Sequence, residues 1–223
     1  MVKSLRPRQL AFSLDHAESF AREDFLPGPS NAAALALVDS WPDWPSPTVA
    51  LIGPEGSGKS HLASIWTEEA GARSISARAL PQIDLSGAFA TGALVVEDLT
   101  ADTLDERALF HLLNLAREER AHLLLTARSA PNGWPVTIRD LASRLRALPA
   151  VVVAPPDDAL LRSLIVKLAA DRQIPADEAL VNYLVTRIER SFAATRAAVV
   201  QLDQEAMRQH RPVTRALAAE LFR

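Results

Sequence analysis

The stretch Gly53-Pro54-Glu55-Gly56-Ser57-Gly58-Lys59-Ser60 limits what this chain can fold into more than any other. It fits G-x-x-x-x-G-K-[ST], and its surroundings matter as much as its letters. Before it, Val49-Ala50-Leu51-Ile52 reads as a short buried strand. After it, Leu62, Ile65, Trp66 and Ala70 fall at helical spacing. Gly53, Gly56 and Gly58 let backbone N–H groups turn inward where a Cβ would clash. The start of the following helix adds partial positive charge at the same point. Strand, turn and helix in this order cradle phosphates. Pro54, Glu55, Gly56, Ser57 and Gly58 form the wall, Lys59 reaches the β- and γ-phosphates, and Ser60 ligates Mg²⁺. A glycine-rich turn with a chance lysine is the bland alternative, and the flanks speak against it.

The remaining composition bounds the partners. The chain has 223 residues, 48% hydrophobic and 23% charged, enough for one large domain or a medium one with a small one. A net charge of −3 argues against a broadly basic nucleic-acid surface, though a local patch stays open. The absence of cysteine excludes disulfides and thiolate metal sites and suits the cytoplasm. No signal peptide is visible, and no window reaches ~18 uninterrupted apolar residues, so no membrane association is expected. Only Lys3, Lys59 and Lys167 among 24 basic residues are lysines. Arginine is thus abundant by composition, and a lone arginine is weak evidence of function.

Taken in order, the chain alternates strands and helices and then stops doing so. In Gln9-Leu10-Ala11-Phe12-Ser13-Leu14, Leu10, Phe12 and Leu14 share one side of an extended segment. Read alone, this favours packing on its own domain over docking in a partner's groove. Asn31 or Ser30 is expected to cap a helix over 32–40. Strands are expected at 49–52, 73–76, 93–96, 122–126 and 151–153, with helices over 104–119 and 139–145. Glu97 and Asp98 end the third strand, where a metal-water ligand and a water-orienting carboxylate would sit. Thr126 gives the fourth strand a polar end. This alternation implies an α/β fold, a parallel sheet sandwiched by helices. Beyond Pro155-Pro156 only helices are expected: from Asp157 to about 172, from Pro175-Ala176-Asp177 to about 188, over 192–210, and a short one ending at Phe222. The resulting division is an N-terminal segment (1–19), an α/β domain (20–155) and a small helical lid (156–223). Trp41, Trp44, Trp66 and Trp134 are read as core or turn packing.

Phosphate loop, acidic strand, polar strand end, arginine-bearing helix and helical lid together resemble the AAA+ ATPase layout. More closely, the chain is similar to the DnaA clade and its short Hda-type regulatory inactivators. Asp24-Phe25-Leu26-Pro27-Gly28-Pro29-Ser30-Asn31, the phosphate loop, Leu123 to Pro131, and Asp140-Leu141-Ala142-Ser143-Arg144-Leu145 carry the resemblance. It implies ADP or ATP with Mg²⁺, contacted by Phe25, Leu26, Asn31, His61 and a lid arginine besides the loop. It also implies catalytic roles for Asp98 and Thr126, and an arginine finger, Arg144, acting in trans on ATP held by the initiator DnaA. Gln9, Leu10, Phe12 and Leu14 match a hexapeptide that binds the sliding clamp (the β subunit of DNA polymerase III), which turns that segment's reading toward docking. The implied role is negative regulation of replication initiation at the replisome, with weak intrinsic ATPase at most.

Departures from the clade's pattern qualify this. The acidic pair reads Glu97-Asp98, so either could hold the metal water; strand register puts Glu97 at the metal position and Asp98 at that of the water-orienting carboxylate. Arg128 stands where the initiator is acidic. The clade's lid arginine aligns with Ala193, leaving Arg196 or Arg190 to replace it. No DNA-binding domain follows the lid, so sequence-specific DNA reading is not expected; homodimerisation stays open. The rival readings are a helicase-loader-like ATPase acting on DNA, and an adaptor tethering a partner to the clamp.

Overall fold

Apolar strands buried on both faces need helices on both sides, and the chain supplies them. The computed structural model describes residues 20–84 and 87–222. The segment carrying Gln9, Leu10, Phe12 and Leu14 lies outside the described residues. Strands β1 (Thr48–Ile52), β2 (Arg73–Ser76), β3 (Ala93–Leu99), β4 (His122–Ala127) and β5 (Ala150–Val152) stand in the order β2-β3-β4-β1-β5. Every neighbouring pair is parallel.

The two-residue period of the strands divides their side chains between two cores. On one face Val49, Leu51, Val95 and Leu124 meet helices α1 (Ala32–Asp39) and α2 (Lys59–Ala70) through Val38, Leu62, Ile65 and Trp66. On the other, Ala50, Leu94, Val96, Leu123 and Leu125 meet α3 (Glu106–Glu118) and α4 (Arg139–Ala147) through Leu109, Leu112, Leu141 and Leu145. The tryptophans pack as expected: the Trp44 and Trp66 ring centroids are 4.8 Å apart, and the buried Trp44 Nε1–H donates to the Leu37 carbonyl at 2.8 Å.

After β5 come four helices, α5 (Asp158–Asp171), α6 (Glu178–Arg187), α7 (Phe192–Gln209) and α8 (Arg215–Leu221). Each starts where a side-chain oxygen accepts a first-turn N–H: Asp157 from Leu160, Asp177 from Leu180, Ser191 from Ala194, Thr214 from Leu217. Leu161, Ile165, Leu184, Leu202 and Leu217 give these helices their own core. A smaller cluster, Leu164, Leu168 and Val199, takes in Leu26 and Phe192 and so ties α5 and α7 to the segment ahead of α1. Lys167 Nζ reinforces that seam, 2.6 Å from Asp24 Oδ1.

Two local expectations fail for physical reasons. Asn31 precedes α1 but its side chain does not cap it. Its Oδ1 instead accepts the Gly28 N–H at 2.8 Å while its Nδ2 donates to the Leu26 carbonyl at 3.0 Å. The proline-flanked turn needs those bonds more than the helix does. Strand β3 does not end at the acids Glu97 and Asp98; it continues to Leu99 through an irregularity between Val96 and Leu99. Short 3-10 turns at Arg22–Asp24, Ala77–Gln82 and Pro131–Gly133 carry no strong sequence signal.

The loop after β1 leaves no room for a side chain at its first residue. A Cβ on Gly53 would stand 2.2 Å from the Val153 carbonyl oxygen and 2.9 Å from Ser57 Oγ, whereas one on Gly133 meets nothing within 4 Å. Gly53→Ala is therefore expected to destabilise by about 1–3 kcal/mol, with little change in Gly133→Ala. Urea unfolding of both variants checks this, and equal midpoints would contradict it.

Candidate functional site

The phosphate loop has the conformation its glycines permit. Gly56 and Gly58 take φ values of 70° and 99°, in the left-handed region that side chains disfavour. The Gly56 carbonyl accepts the Phe192 N–H at 2.9 Å, and a Cβ on Gly56 would meet Ser191 Cβ at 2.9 Å. The same glycines thus shape the loop and let α7 reach it. Lys59 is 6% exposed, and its Nζ donates to the carbonyls of Gly53 and Pro54, both at 2.8 Å. Burial pushes the Lys59 ammonium below the usual lysine range; Asp98 opposes this and Arg128 adds to it. Ser57 Oγ is buried without a hydrogen-bond partner. Inward-turned glycines, a desolvated cation and an orphaned hydroxyl fit a phosphate group.

Around this loop lies a cleft of about 300 Å³, with a polar and an apolar part. Glu55, Lys59, Ser60, Asp98 and Arg128 line the polar part, and Asp98, Arg128 and Glu55 are the charges acting most strongly on Lys59. Phe20, Phe25, Leu26, His61 and Leu164 line the apolar part. There the His61 ring takes edge contacts from Phe20 and Phe25 at 5.5 and 5.2 Å. Its Nε2 lies 2.8 Å from the Ala21 carbonyl oxygen, so this nitrogen carries the proton. Phe192, Ala193 and Arg196 of α7 close the remaining side.

Of the residues expected from sequence, Phe25, Leu26, Glu55, Gly56, Gly58, Lys59, Ser60, His61, Asp98 and Arg196 line this cleft. Asn31, Pro54, Ser57, Glu97, Thr126 and Arg144 do not. Asn31 holds the Leu26–Gly28 turn in place, and Pro54 contributes its carbonyl to Lys59. Thr126 is fully buried, its Oγ1 accepting the Asp98 N–H at 3.0 Å. The strand-end acids divide in a way that simple register does not anticipate. Asp98 adopts φ 61° at the β3 irregularity and lines the cleft. Glu97 pairs in register with Ser76 of β2, and its Oε1 accepts from Ser74 Oγ at 3.0 Å. Arg190 pairs with Asp158 at 2.8 Å, so of the two lid arginines only Arg196 lines the cleft. Sequence reasoning noted Arg128 only as a departure from the clade's acidic residue, and it missed Phe20, Leu164 and Phe192 as lining residues.

Arg144 lies on α4 in a second cavity, of about 450 Å³, beside Arg117, Arg120, His122 and Leu145. The half-buried guanidinium does not project freely: Nη2 donates to Asn114 Oδ1 at 2.6 Å, and Cζ sits 5.2 Å from the Phe110 ring centroid. The start of α4 is fixed by Glu106, whose carboxylate accepts the N–H groups of Thr137 and Ile138 and is thereby held below the usual carboxylate range.

Sheet order, glycine loop and helical extension define an AAA+ ATPase fold, and within that class the fold is DnaA-like. The chain is similar to domain III of the replication initiation protein DnaA from Thermotoga maritima, with 18% identity and a TM-score of 0.75 over 91% of this chain and 95% of that one. AMPPCP-bound DnaA from Aquifex aeolicus gives 16% identity and a TM-score of 0.68, over 82% of this chain and 64% of that one. The Thermotoga maritima Holliday junction branch migration motor RuvB gives 17% identity and a TM-score of 0.63, over 86% of this chain and 68% of that one. No protein-family model and no curated protein matches the sequence. At these identities the likeness establishes the fold. Among the described residues no helix is long and apolar enough to cross a membrane.

His61 sets a pH dependence. Burial, with a further contribution from Arg196, pushes the imidazole below its ordinary 6.5, while the Ala21 carbonyl and Asp24 oppose the shift. The unfolded chain then binds the proton more readily, so this contribution to stability is complete above about pH 6.5 and is lost as pH falls through the depressed folded value. The thermal midpoint is expected to drop less between pH 7.5 and 5.5 in His61→Gln than in the wild type. Identical drops would remove His61 from this account.

Proposed function

We propose that this protein is a nucleotide-dependent negative regulator of replication initiation. In this reading the cleft beside the phosphate loop holds ADP or ATP, its base against Phe25, Leu26 and His61 and its phosphates at Lys59 and the loop N–H groups. Ser60 and Asp98 would be the oxygen donors that hold a Mg²⁺ ion, which would neutralise charge on the phosphates; Glu97, the expected metal ligand, accepts from Ser74 Oγ and does not line the cleft. Thr126 acts as a positioning residue that holds Asp98 at the cleft through the Asp98 N–H. The bound nucleotide sets the angle between the sheet and α7, because the loop and the start of α7 touch directly at Gly56.

The observation that carries the regulatory part is that Arg144 does not line the protein's own cleft but a separate cavity on α4. A guanidinium outside the protein's own cleft could meet only another molecule's phosphates. We assign that molecule to the initiator DnaA on the fold likeness and the finger-like segment around Arg144. Leaving Asn114 for a partner's ATP, Arg144 would meet developing charge in phosphoryl transfer, where an arginine is worth ~10³–10⁵ in rate. The segment Gln9 to Leu14 would bring the protein to the DNA-loaded sliding clamp.

Phosphate release from ATP-bound initiator, mixed with this protein and clamp on DNA, is the test. Arg144→Ala is expected to lower the stimulation at least ~100-fold, a conservative fraction of an arginine finger's worth, with ADP binding by the variant retained. Lys59→Ala is expected to lose nucleotide binding. Full stimulation by Arg144→Ala would rule the finger out.

A further inference from the structure

Arg117 and Arg120 answer to no role above, yet they line the second cavity together with Arg144. Among the described residues no carboxylate lines it, and the side chain that Arg144 binds there is a neutral amide, Asn114. This is a local exception in a chain of net charge −3. Part of its cause is local too. The last turns of α3 and α4 both reach the cavity, and helix C-termini favour cations. The magnitudes leave a surplus. Two helix ends carry roughly half a negative charge each against three full guanidinium charges, so the cavity stays about two units positive, His122 aside.

A second observation falls on Arg120. Its N–H donates to the Arg117 carbonyl at 3.3 Å, and the Ala121 N–H donates to the Ala116 carbonyl at 2.9 Å. These two bonds close a helix through a left-handed residue, and Arg120 is that residue, at φ 53°. Glycine is the usual occupant, because a side chain strains the backbone there. Arginine is the poorer choice for the helix end, and it sets a guanidinium at the cavity. The floor beneath the cations is apolar: Leu113, Ala116, Ala121 and Leu145 are buried and belong to the core between the sheet, α3 and α4. A volume of about 450 Å³ lies within the range of small-molecule sites. We infer that this cavity binds a small amphiphilic dianion, an apolar body carrying a phosphate monoester. The phosphate takes N–H bonds from Arg117, Arg120 and Arg144 while the body lies on Leu113 and Leu145. Two negative charges match the surplus, and the guanidinium fork suits phosphate oxygens. A bare inorganic anion is a poorer ligand, because it leaves the apolar floor in contact with water. The site shares no lining residue with the phosphate-loop cleft and stands whether or not that cleft holds a nucleotide.

The experiment is isothermal titration of the full chain with 1-naphthyl phosphate at about pH 7.5, where a phosphate monoester is close to doubly charged. A dissociation constant of about 0.1–1 mM is expected, the scale for a ligand of about 15 non-hydrogen atoms. Inorganic phosphate and 1-naphthol should each bind at least about 10-fold more weakly, since each lacks one half of the ligand. Arg120→Gly is the variant that separates binding from folding. It should weaken naphthyl phosphate about 10-fold, the worth of one charge-assisted contact, without lowering the thermal midpoint, because glycine suits φ 53°. Arg117→Gln should weaken it similarly, and Lys59→Ala should leave it unchanged. No binding by the wild type, unaltered binding by both arginine variants, or loss in Lys59→Ala alone overturns the inference. Inorganic phosphate binding as tightly as the naphthyl ester overturns it as well, since the apolar floor then contributes nothing.

Discussion

A buried ammonium organises the cleft. Lys59 sits in the first turn of α2, shielded from water and held by two carbonyls of the loop that precedes it. Desolvation works against its charge and is the largest influence on it. Neighbouring carboxylates, Asp98 first, oppose that loss and favour the charge. A phosphate arriving at the loop would satisfy the ammonium better than the carbonyls do, at a helix N-terminus already biased toward anions. The glycine conformations, the bulge that presents Asp98 and the placing of Arg128 all acquire their meaning from this one cation.

The four C-terminal helices are bound to that centre by short-range contacts. Phe192 donates its N–H to the Gly56 carbonyl, and Phe192 belongs to the same apolar cluster as Leu26, Leu164 and Leu168. Lys167 bridges α5 to Asp24, whose carboxylate raises the lysine above its ordinary value. A change at the loop is therefore felt by α7 and by the segment before α1 together. Such coupling lets the identity of a small ligand alter a surface elsewhere on the molecule. Arg144 is held at the end of another chain of bonds, from Glu106 at the start of α3 to Thr137 and Ile138, and then along α4. Its contact with Asn114 and Phe110 keeps the guanidinium ordered while leaving it half exposed.

Most of the scaffold was legible in the sequence because strong periodic signals carry it. The five segments expected to be extended became the five strands, and the helices expected to begin at Asp157 and at Pro175-Ala176-Asp177 do so, with Asp157 and Asp177 as their caps. The phosphate loop could be read letter by letter, since glycine, lysine and serine there answer to steric and charge requirements. Side-chain hydrogen bonding across short distances was not legible. Asn31 has the chemistry of a cap and spends it on Leu26 and Gly28. Glu97 and Asp98 cannot be ranked from alternation once an irregularity in β3 breaks the period and turns one of them to φ 61°. Thr126 signalled a polar strand end, and the structure uses its hydroxyl to receive the backbone of Asp98. Arg128 was legible only as a departure from the clade's acidic residue, because in an arginine-rich chain one more arginine carries little weight until its partner is seen.

The central claim is that the cleft between the loop and α7 takes a nucleotide through Lys59. A crystal structure grown with Mg-ADP tests it most directly. The account predicts density for the diphosphate against the loop, the base near Phe25 and Leu26, and Lys59 Nζ moved from the Gly53 and Pro54 carbonyls onto phosphate oxygens. Lys59 still on those carbonyls, with Phe192 packed over Gly58 and no nucleotide in the cleft at saturating ADP, would contradict it.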